Sequence, residues 1–135
     1  MSKPQFASLS GAWQGRYTYF DSADGEAFSA QLVELSDTLT GTTSETVDMR
    51  DGLTGPRQAT LTGSRNGAHV SFVKRYLPGQ GHDLPIKYTG EVNDDATEIE
   101  GDWIIPGRTF GRFLMIRDTE MSEPSVAREA SEVVR

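Results

Sequence analysis

The residues of this chain that are best suited to binding chemistry are aromatic and charged side chains that alternate along short segments. The candidate ligand-binding residues are Tyr17, Tyr19, Glu45, Phe72, Lys74, Tyr76, Tyr88, Trp103, Phe113 and Met115. Buried Tyr hydroxyls need hydrogen-bond partners, and buried charges cost free energy unless they are paired. Such a set on the inner side of a sheet predicts a pocket for a small molecule. Simple core packing by the same residues remains the alternative.

Lys74 is the residue that would set the chemistry of this pocket. It could bind a carboxylate or another anion of a ligand, or it could form a buried ion pair with Glu45, and the sequence leaves both possibilities open. The apolar body of the ligand would then contact Phe72, Phe113 and the neighbouring aromatic residues. Pockets of this kind are mostly apolar with a few placed polar groups.

Other chemistries find little support in the sequence. His69 and His82 are the only imidazoles, and we expect one to face outward and the other to lie in a polar loop, where they cannot converge on a metal. Ser71 shares a face with His69 but has no oriented acid and no nucleophile elbow. We therefore predict no catalytic residue, no metal site and no cofactor, and hydrolase activity is disfavoured.

Eight short segments with partial two-residue alternation must position these side chains. They cover residues 11–20, 27–35, 38–47, 58–64, 68–76, 86–92, 99–105 and 110–117. Short strands separated by turn signals are typical of a β-sandwich or a β-barrel, and connections this short require antiparallel pairing. The sequence predicts an all-β fold, an eight-stranded antiparallel up-and-down barrel that leaves no exposed edge. A two-sheet sandwich with Greek-key connections is the alternative.

Three local features carry further predictions. The apolar residues of segment 27–35 fall on both faces, which a β-bulge would reconcile. Asn66 and Gly67 predict a tight hairpin. The Gly- and Pro-containing loop 77–83 is expected at the open end of the barrel.

The last residues differ from the rest of the chain. We assign residues 1–117 to the barrel domain and 118–135 to a C-terminal tail. A short helix there would place Val126, Ala130, Val133 and Val134 on one side. A disordered terminus is the other reading of the same segment.

Composition limits the partners and the location. The 135 residues carry a formal net charge of −7, which disfavours binding to nucleic acid or to anionic lipid surfaces. There is no cysteine, no run of about 20 apolar residues that would span a membrane, and no apolar leader near the N-terminus. We expect a cytoplasmic protein whose partner is a small hydrophobic molecule, with a homodimer as a further option.

Gly11, Trp13 and Arg117 together resemble the signature of the calycin superfamily of β-barrels, which includes lipocalins, fatty-acid-binding proteins and avidins. In that superfamily a Gly-x-Trp enters the first strand, the Trp closes one end of the barrel, and a basic residue of the last strand packs across it. The resemblance covers roughly residues 8–117. It implies a structural role for these three residues and a ligand cavity inside the barrel.

The chain also departs from each branch of that superfamily. Residues 21–26 leave no space for the helical lid of fatty-acid-binding proteins, and we expect neither the secretion nor the disulfides that many lipocalins have. Segments 8–13, 39–42 and 102–105 resemble avidin strands. However, Gly15 stands where avidins have a biotin-binding Asn, and their late Trp and Asp have no counterpart. The biotin site is not matched.

The function expected from the sequence is a binding or carrier protein. It would hold a hydrophobic ligand with a polar or anionic end inside the barrel. A barrel enzyme of the isomerase or cyclase type, with Lys74, Glu45 and a Tyr as acid and base groups, and a filled structural barrel remain as alternatives.

Overall fold

The computed structural model describes residues 7–22, 24–48 and 54–118. It contains eight strands: β1 (Gly11–Tyr19), β2 (Gly25–Leu35), β3 (Thr38–Asp48), β4 (Thr54–Asn66), β5 (His69–Tyr76), β6 (Ile86–Val92), β7 (Glu98–Ile105) and β8 (Thr109–Arg117). Each strand pairs antiparallel with the next, and β8 pairs with β1, so the sheet closes on itself. The predicted all-β, up-and-down barrel is confirmed, and the sandwich alternative is wrong. The helix predicted within residues 118–135 lies outside the described residues.

Alternation along the strands explains why the sheet closes around a core. In β6 and β7 every second residue is buried while the intervening residues are exposed, as expected for strands with one face inside and one face in water. Successive connections are short, so each strand lies beside its sequence neighbour and the barrel follows chain order.

Strand β2 has one buried face and does not need the predicted bulge. Phe28, Ala30 and Leu32 are buried, whereas Val33 and Leu35 are 47% and 72% exposed. The pairing of β2 with β1 and with β3 runs without an inserted residue, so the bulge prediction is wrong. Val33 and Leu35 are simply apolar residues on the outer face near the end of the strand.

Strand β4 begins earlier than its sequence suggests. Its first residues pair with β3 alone, because pairing with β5 begins at Ala59. A proline is tolerated in a strand where only one side needs hydrogen bonds, which explains why Pro56 does not end β4. The extension places Arg57 inside the strand on the same face as Ala59, and this position matters for the site described below.

The hairpin predicted at Asn66 and Gly67 is present but shifted by one residue. Asn66 still pairs with His69, so the two-residue turn consists of Gly67 and Ala68. Gly67 has a φ of 64°, a conformation that glycine adopts without steric cost. The shift leaves Ser64 and the following residues in register with β5.

One end of the barrel, which we call the closed end, is sealed by Trp13 and the segment before β1. The Trp13 side chain is fully buried, and its indole N–H donates to the Leu9 carbonyl at 2.9 Å. The Arg117 guanidinium lies 4.5 Å from the indole ring centre and donates to the carbonyls of Ser8 and Ser10. The predicted contact between Trp13 and Arg117 is therefore present, and it ties the first strand to the last.

The opposite end, which we call the mouth, carries the connection 77–85 between β5 and β6. The backbone N–H of Leu77 donates to the Gln58 carbonyl at 2.9 Å, and the Gln58 N–H donates to the side chain of Gln80 at 2.7 Å. These bonds fold the connection against the beginning of β4. The loop thus lies at the end remote from Trp13, where the sequence placed it.

Candidate functional site

Four strands bring a cluster of polar and charged side chains to the inner wall near the mouth. They are β1 with Tyr17, β3 with Glu45, β4 with Arg57, and β5 with Lys74 and Tyr76. Glu45 and Arg57 are direct partners in the register between β3 and β4. We call this set the mouth network. Barrel closure, and not proximity in the sequence, assembles it.

The Glu45 carboxylate is the centre of the mouth network. Its Oε2 accepts hydrogen bonds from Lys74 Nζ at 2.8 Å and from the Tyr76 hydroxyl at 2.9 Å. Its Oε1 accepts from Arg57 Nη2 at 2.9 Å and from the Tyr17 hydroxyl at 3.0 Å. Each carboxylate oxygen therefore has two donors, so the buried negative charge is fully satisfied.

Electrostatics keep this cluster charged. Burial alone would raise the pKa of the Glu45 carboxyl, but the charge of Lys74 and hydrogen bonds from Lys74, Arg57 and Tyr76 outweigh it and hold that pKa below its ordinary value. Burial lowers the pKa of Lys74, and the charge and hydrogen bond of Glu45 oppose this lowering. The pair is therefore best described as a carboxylate and an ammonium that depend on each other.

Lys74 also lies among aromatic rings. Its Nζ is 4.9 Å from the ring centre of Tyr76, 5.1 Å from that of Tyr17 and 5.2 Å from that of Phe28. A cation near ring faces gains cation–π attraction that replaces part of its lost hydration. Lys74 is thus paired and enclosed within the protein itself, and its side chain is only 1% exposed.

The tyrosines of the site are hydrogen-bond donors at neutral pH. Burial, together with the negative charge of Glu45, raises the pKa values of Tyr17, Tyr76 and Tyr88 well above the ordinary value. A hydroxyl in this state holds its proton firmly, so it supports the carboxylate but is poorly matched to proton transfer near pH 7.

Arg57 is the member of the mouth network with binding capacity left over. Its Nη2 contacts Glu45, and its guanidinium lies over the Tyr76 ring with 4.5 Å to the ring centre. Its Nε is buried and has no hydrogen-bond partner, although the side chain as a whole is 25% exposed. Lys74 and Arg57 together carry one more charge than Glu45, so the network has an excess positive charge on the side of the mouth.

A cavity of about 60 Å³ opens beside Arg57 at the mouth. Its lining consists of Tyr17, Tyr19, Arg57, Tyr76, His82, Ile86, Tyr88, Trp103 and Ile105. A water molecule needs roughly 10–15 Å³ on this scale, whereas pockets for drug-sized ligands measure about 300–1,000 Å³. The cavity therefore has room for a small polar group or a few waters, and a larger ligand would extend out over the rim.

Apart from Glu45 and Lys74, which are buried in the mouth network and do not line the cavity, the residues predicted to line the pocket separate into two groups. Tyr17, Tyr19, Tyr76, Tyr88 and Trp103 line the mouth cavity. Tyr19 is nevertheless 42% exposed at the rim. The Trp103 indole N–H donates to the Thr18 carbonyl at 3.0 Å, so its ring orientation is fixed by β1, on the far side of β8.

Phe72, Phe113 and Met115 form the second group and belong to the packed core. The Phe72 ring stacks on Tyr88 with centres 5.0 Å apart, and Phe113 meets Tyr88 edge-on at 4.9 Å. Met115 is 1% exposed. None of the three lines the mouth cavity. The apolar body of a ligand was expected against these residues, but protein side chains occupy that space.

Packing inside the barrel is tight enough to demand glycine. A Cβ atom on Gly15 would overlap the ring of Phe28, which lies across β1 at that point. Phe28 also lies next to Tyr17, with ring centres 6.1 Å apart. Gly15, which replaces the avidin Asn in the resemblance, is therefore explained by the volume of a neighbouring ring.

Sequence reasoning missed Arg57, Ile86 and Ile105 as site residues and treated His82 as a surface residue. The signal for Arg57 was its even spacing from Ala59 and Leu61, which continues the inward face of β4 beyond Pro56. His82 reaches the cavity because the loop folds back, placing its ring edge-on to Tyr76 at 5.3 Å. Loop geometry of this kind has no periodicity that a sequence can show.

The three signature residues lie far from the mouth. Gly11 has a φ of 131°, which L-residues rarely adopt, and it allows the chain to turn from the closed end into β1. Trp13 and Arg117 make the contact described above. Their geometry supports a structural role at the closed end.

A larger hollow of about 420 Å³ lies on the outer wall across β1 to β4. Its lining is mostly Gln, Ser and Thr, and it contains no member of the mouth network. Within residues 7–22, 24–48 and 54–118, no group of three or more potential ligands could hold a metal ion. In the same ranges no helix has the length and apolar character to cross a membrane.

Comparison with known proteins adds no identity. No protein-family model matches the chain, and no curated protein matches it at a significant level. What the structure shows of the calycin resemblance is the eight-stranded antiparallel barrel itself.

Proposed function

We propose that this protein binds a small molecule through an anionic group at the mouth of the barrel, with Arg57 as the main contact. The observation that carries the proposal is the Arg57 guanidinium, which lines an open cavity with its side chain 25% exposed and belongs to a network with one positive charge in excess. A carboxylate or a similar anion in the cavity would pair with this charge, and hydrogen bonds between ionised groups are among the strong ones.

The charge of the site supports an anion over a cation. Glu45 already has a donor at each available position, while Arg57 and Lys74 leave one positive charge in excess. Arginine presents several donors in a rigid planar fork that matches carboxylate geometry. Lys74, which the sequence suggested for this role, is neutralised by Glu45, and Arg57 takes its place.

The apolar part of the ligand would lie at the rim and not deep in the barrel. Tyr19, Trp103, Ile86 and Ile105 surround the cavity and offer aromatic and aliphatic surface. A flat aromatic or short aliphatic body could pack there while its acid group enters the cavity. Binding and carriage of such acids is a typical use of a barrel of the calycin kind, and we keep membership of that superfamily as part of the proposal.

The structure favours binding over the two alternatives that the sequence left open. Raised pKa values make Tyr17 and Tyr76 weak candidates for acid–base catalysis. A purely structural barrel would account for the packed core below the mouth, but it gives no reason for an excess positive charge beside an open cavity.

Calorimetric titration with benzoate and with benzamide tests the proposal, because the two differ mainly in charge. Benzoate should bind saturably, and benzamide should bind more weakly. Arg57→Gln should weaken benzoate binding by about tenfold or more, which is the loss of one charged hydrogen bond. Arg16→Gln, at an exposed position on the outer face of β1, is the matched control and should leave binding unchanged. Equal binding of both compounds, or no effect of Arg57→Gln, would refute the proposal.

A further inference from the structure

The Tyr88 hydroxyl is a buried polar group that the fold leaves without a partner. Tyr88 is 3% exposed and lines the mouth cavity. The hydroxyls of Tyr17 and Tyr76 donate to Glu45, whereas none of the residues that the structure describes forms a hydrogen bond with the Tyr88 hydroxyl. Because buried Tyr hydroxyls usually have a partner, this one points to a molecule that enters the cavity.

The hydroxyl end of Tyr88, and not its ring, reaches the cavity. The ring stacks on Phe72 and meets Phe113 edge-on, and neither of these residues lines the cavity. Burial, followed by the nearby Tyr17 and Glu45, raises the pKa of Tyr88, as expected for a hydroxyl directed from the core toward the mouth. The hydroxyl therefore keeps its proton at neutral pH and acts as a hydrogen-bond donor.

Tyr88 lies deeper in the cavity than the charged residue of the proposed site. The Arg57 side chain is 25% exposed, and the opposite rim carries Tyr19, which is 42% exposed. An acid group that enters from solvent therefore passes Arg57 before it meets Tyr88. A carboxylate has two oxygens that accept hydrogen bonds, so it can use both donors at once.

The charge of the mouth network matches one negative charge. Arg57 and Lys74 carry two positive charges and Glu45 carries one negative charge, which leaves one positive charge in excess. The other described residues that line the cavity include neither Lys nor Arg. A phosphate ester carries close to two negative charges at neutral pH. Its second charge would lie near the Glu45 carboxylate without a counter-charge, which is costly at a partly buried site.

We propose that the mouth is a site for a monocarboxylic acid, whose carboxylate is held between the Arg57 guanidinium and the Tyr88 hydroxyl. This inference rests on the anion binding proposed above, and it adds a second donor and the class of acid. Arg57 contacts one carboxylate oxygen and Tyr88 the other. The cavity of about 60 Å³ holds the acid group, and the apolar body of the acid covers the rim.

Tyr88→Phe separates a binding role of the hydroxyl from a structural one. The substitution keeps the ring on Phe72, so benzoate binding should weaken by about tenfold through the loss of one hydrogen bond to a charged group. The midpoint of urea unfolding without ligand should not fall, because the fold loses no hydrogen bond. Tyr76→Phe should lower that midpoint, because it removes a bond to Glu45.

Thr89→Val is the matched control for binding, since it removes a hydroxyl from the exposed face of the same strand. It should leave benzoate binding unchanged. Two results would overturn the inference: benzoate binding that is indifferent to Tyr88→Phe, or a loss of stability in Tyr88→Phe as large as that in Tyr76→Phe. The second result would show that the hydroxyl has a partner within the fold.

Titration of the wild type with phenyl phosphate at pH 8, where this ester is a dianion, tests the class of acid. Benzoate should bind at least about tenfold more tightly, and equal or tighter binding of phenyl phosphate would contradict the charge argument. The two proposals fail in different ways. Benzoate binding that is absent, or indifferent to Arg57→Gln, refutes anion binding at the mouth altogether. Binding that depends on Arg57 but not on Tyr88 refutes only the present inference.

Discussion

At the scale of single residues, removing one charge of the buried pair Glu45 and Lys74 should cost far more stability than removing both. Glu45→Gln leaves Lys74 buried without a counter-charge and should lower the free energy of unfolding by about 3–5 kcal/mol. The double substitution Glu45→Gln with Lys74→Met removes both charges and should recover most of that loss, since well-packed apolar replacements of ion pairs are often neutral or stabilising. Urea unfolding at pH 7 measures both variants.

The control for this pair is Glu91→Gln on the outer face, where the carboxylate meets His69 with both side chains largely exposed. It should change stability little, because exposed pairs contribute about 0–1 kcal/mol. If the double variant were as unstable as the single one, the loss would come from packing and not from an uncompensated charge.

The same pair gives stability a defined dependence on pH. The folded-state pKa of Glu45 is below its ordinary value of 4.5, so its ionised form stabilises the fold fully above that value. This contribution falls as the pH drops through the folded-state pKa. The free energy of unfolding measured from pH 7 to pH 3 should therefore fall more steeply for the wild type than for the double variant. Parallel curves would show that Glu45 is not held ionised by the fold.

At the scale of strands, the closed end depends on one indole. Trp13→Ala should lower the free energy of unfolding by about 3–5 kcal/mol, as large aromatic truncations in cores do. Benzoate binding should change little, because the mouth is at the other end of β1. A denaturant melt gives the first quantity and calorimetry the second. An unchanged melting midpoint would be incompatible with the burial of Trp13.

The crossing of Phe28 over Gly15 offers a test of packing between β1 and β2. Gly15→Ala should destabilise the barrel by about 1–3 kcal/mol, the usual cost of overpacking. Adding Phe28→Leu removes the overlapping ring and should make the alanine much less costly. A double-mutant cycle measures this coupling. Additive effects would mean that the two residues do not share the space.

Alternation allowed the existence and order of all eight strands to be predicted, because each strand has one buried and one exposed face. It failed where that contrast weakens. In β2 the exposed apolar residues Val33 and Leu35 suggested that the buried face changes within the strand, and this led to the wrong prediction of a bulge. For β4 the predicted segment began at residue 58, which left out Arg57. Both errors arise because exposure and pairing depend on the neighbouring strands, which the local sequence does not contain.

At the scale of the whole molecule, the candidate site could be predicted only in part. The two-residue alternation along the strands predicted that Tyr17, Glu45, Lys74 and Tyr76 face the barrel interior. Their convergence follows from barrel closure. Whether the interior is filled depends on the summed volume of side chains from all strands. That sum placed Phe72 and its neighbours in the core and confined open space to the mouth.

Ligand binding should protect one end of the barrel. In hydrogen exchange with and without benzoate, amides of the connection 77–85 should exchange more slowly when benzoate is bound, because His82 lines the cavity. Amides around Gly67, at the closed end, serve as the internal control and should not respond. Protection confined to the Gly67 end would place the binding site at the wrong end of the barrel.

The bond from Arg117 to the carbonyl of Ser10 joins residues that are 107 positions apart. The seam between β1 and β8 thus has the greatest loop-closure cost in the barrel, and it forms only after every other strand is available. A growing chain carries unpaired edges on β1 and β7 until β8 arrives, and such edges invite aggregation.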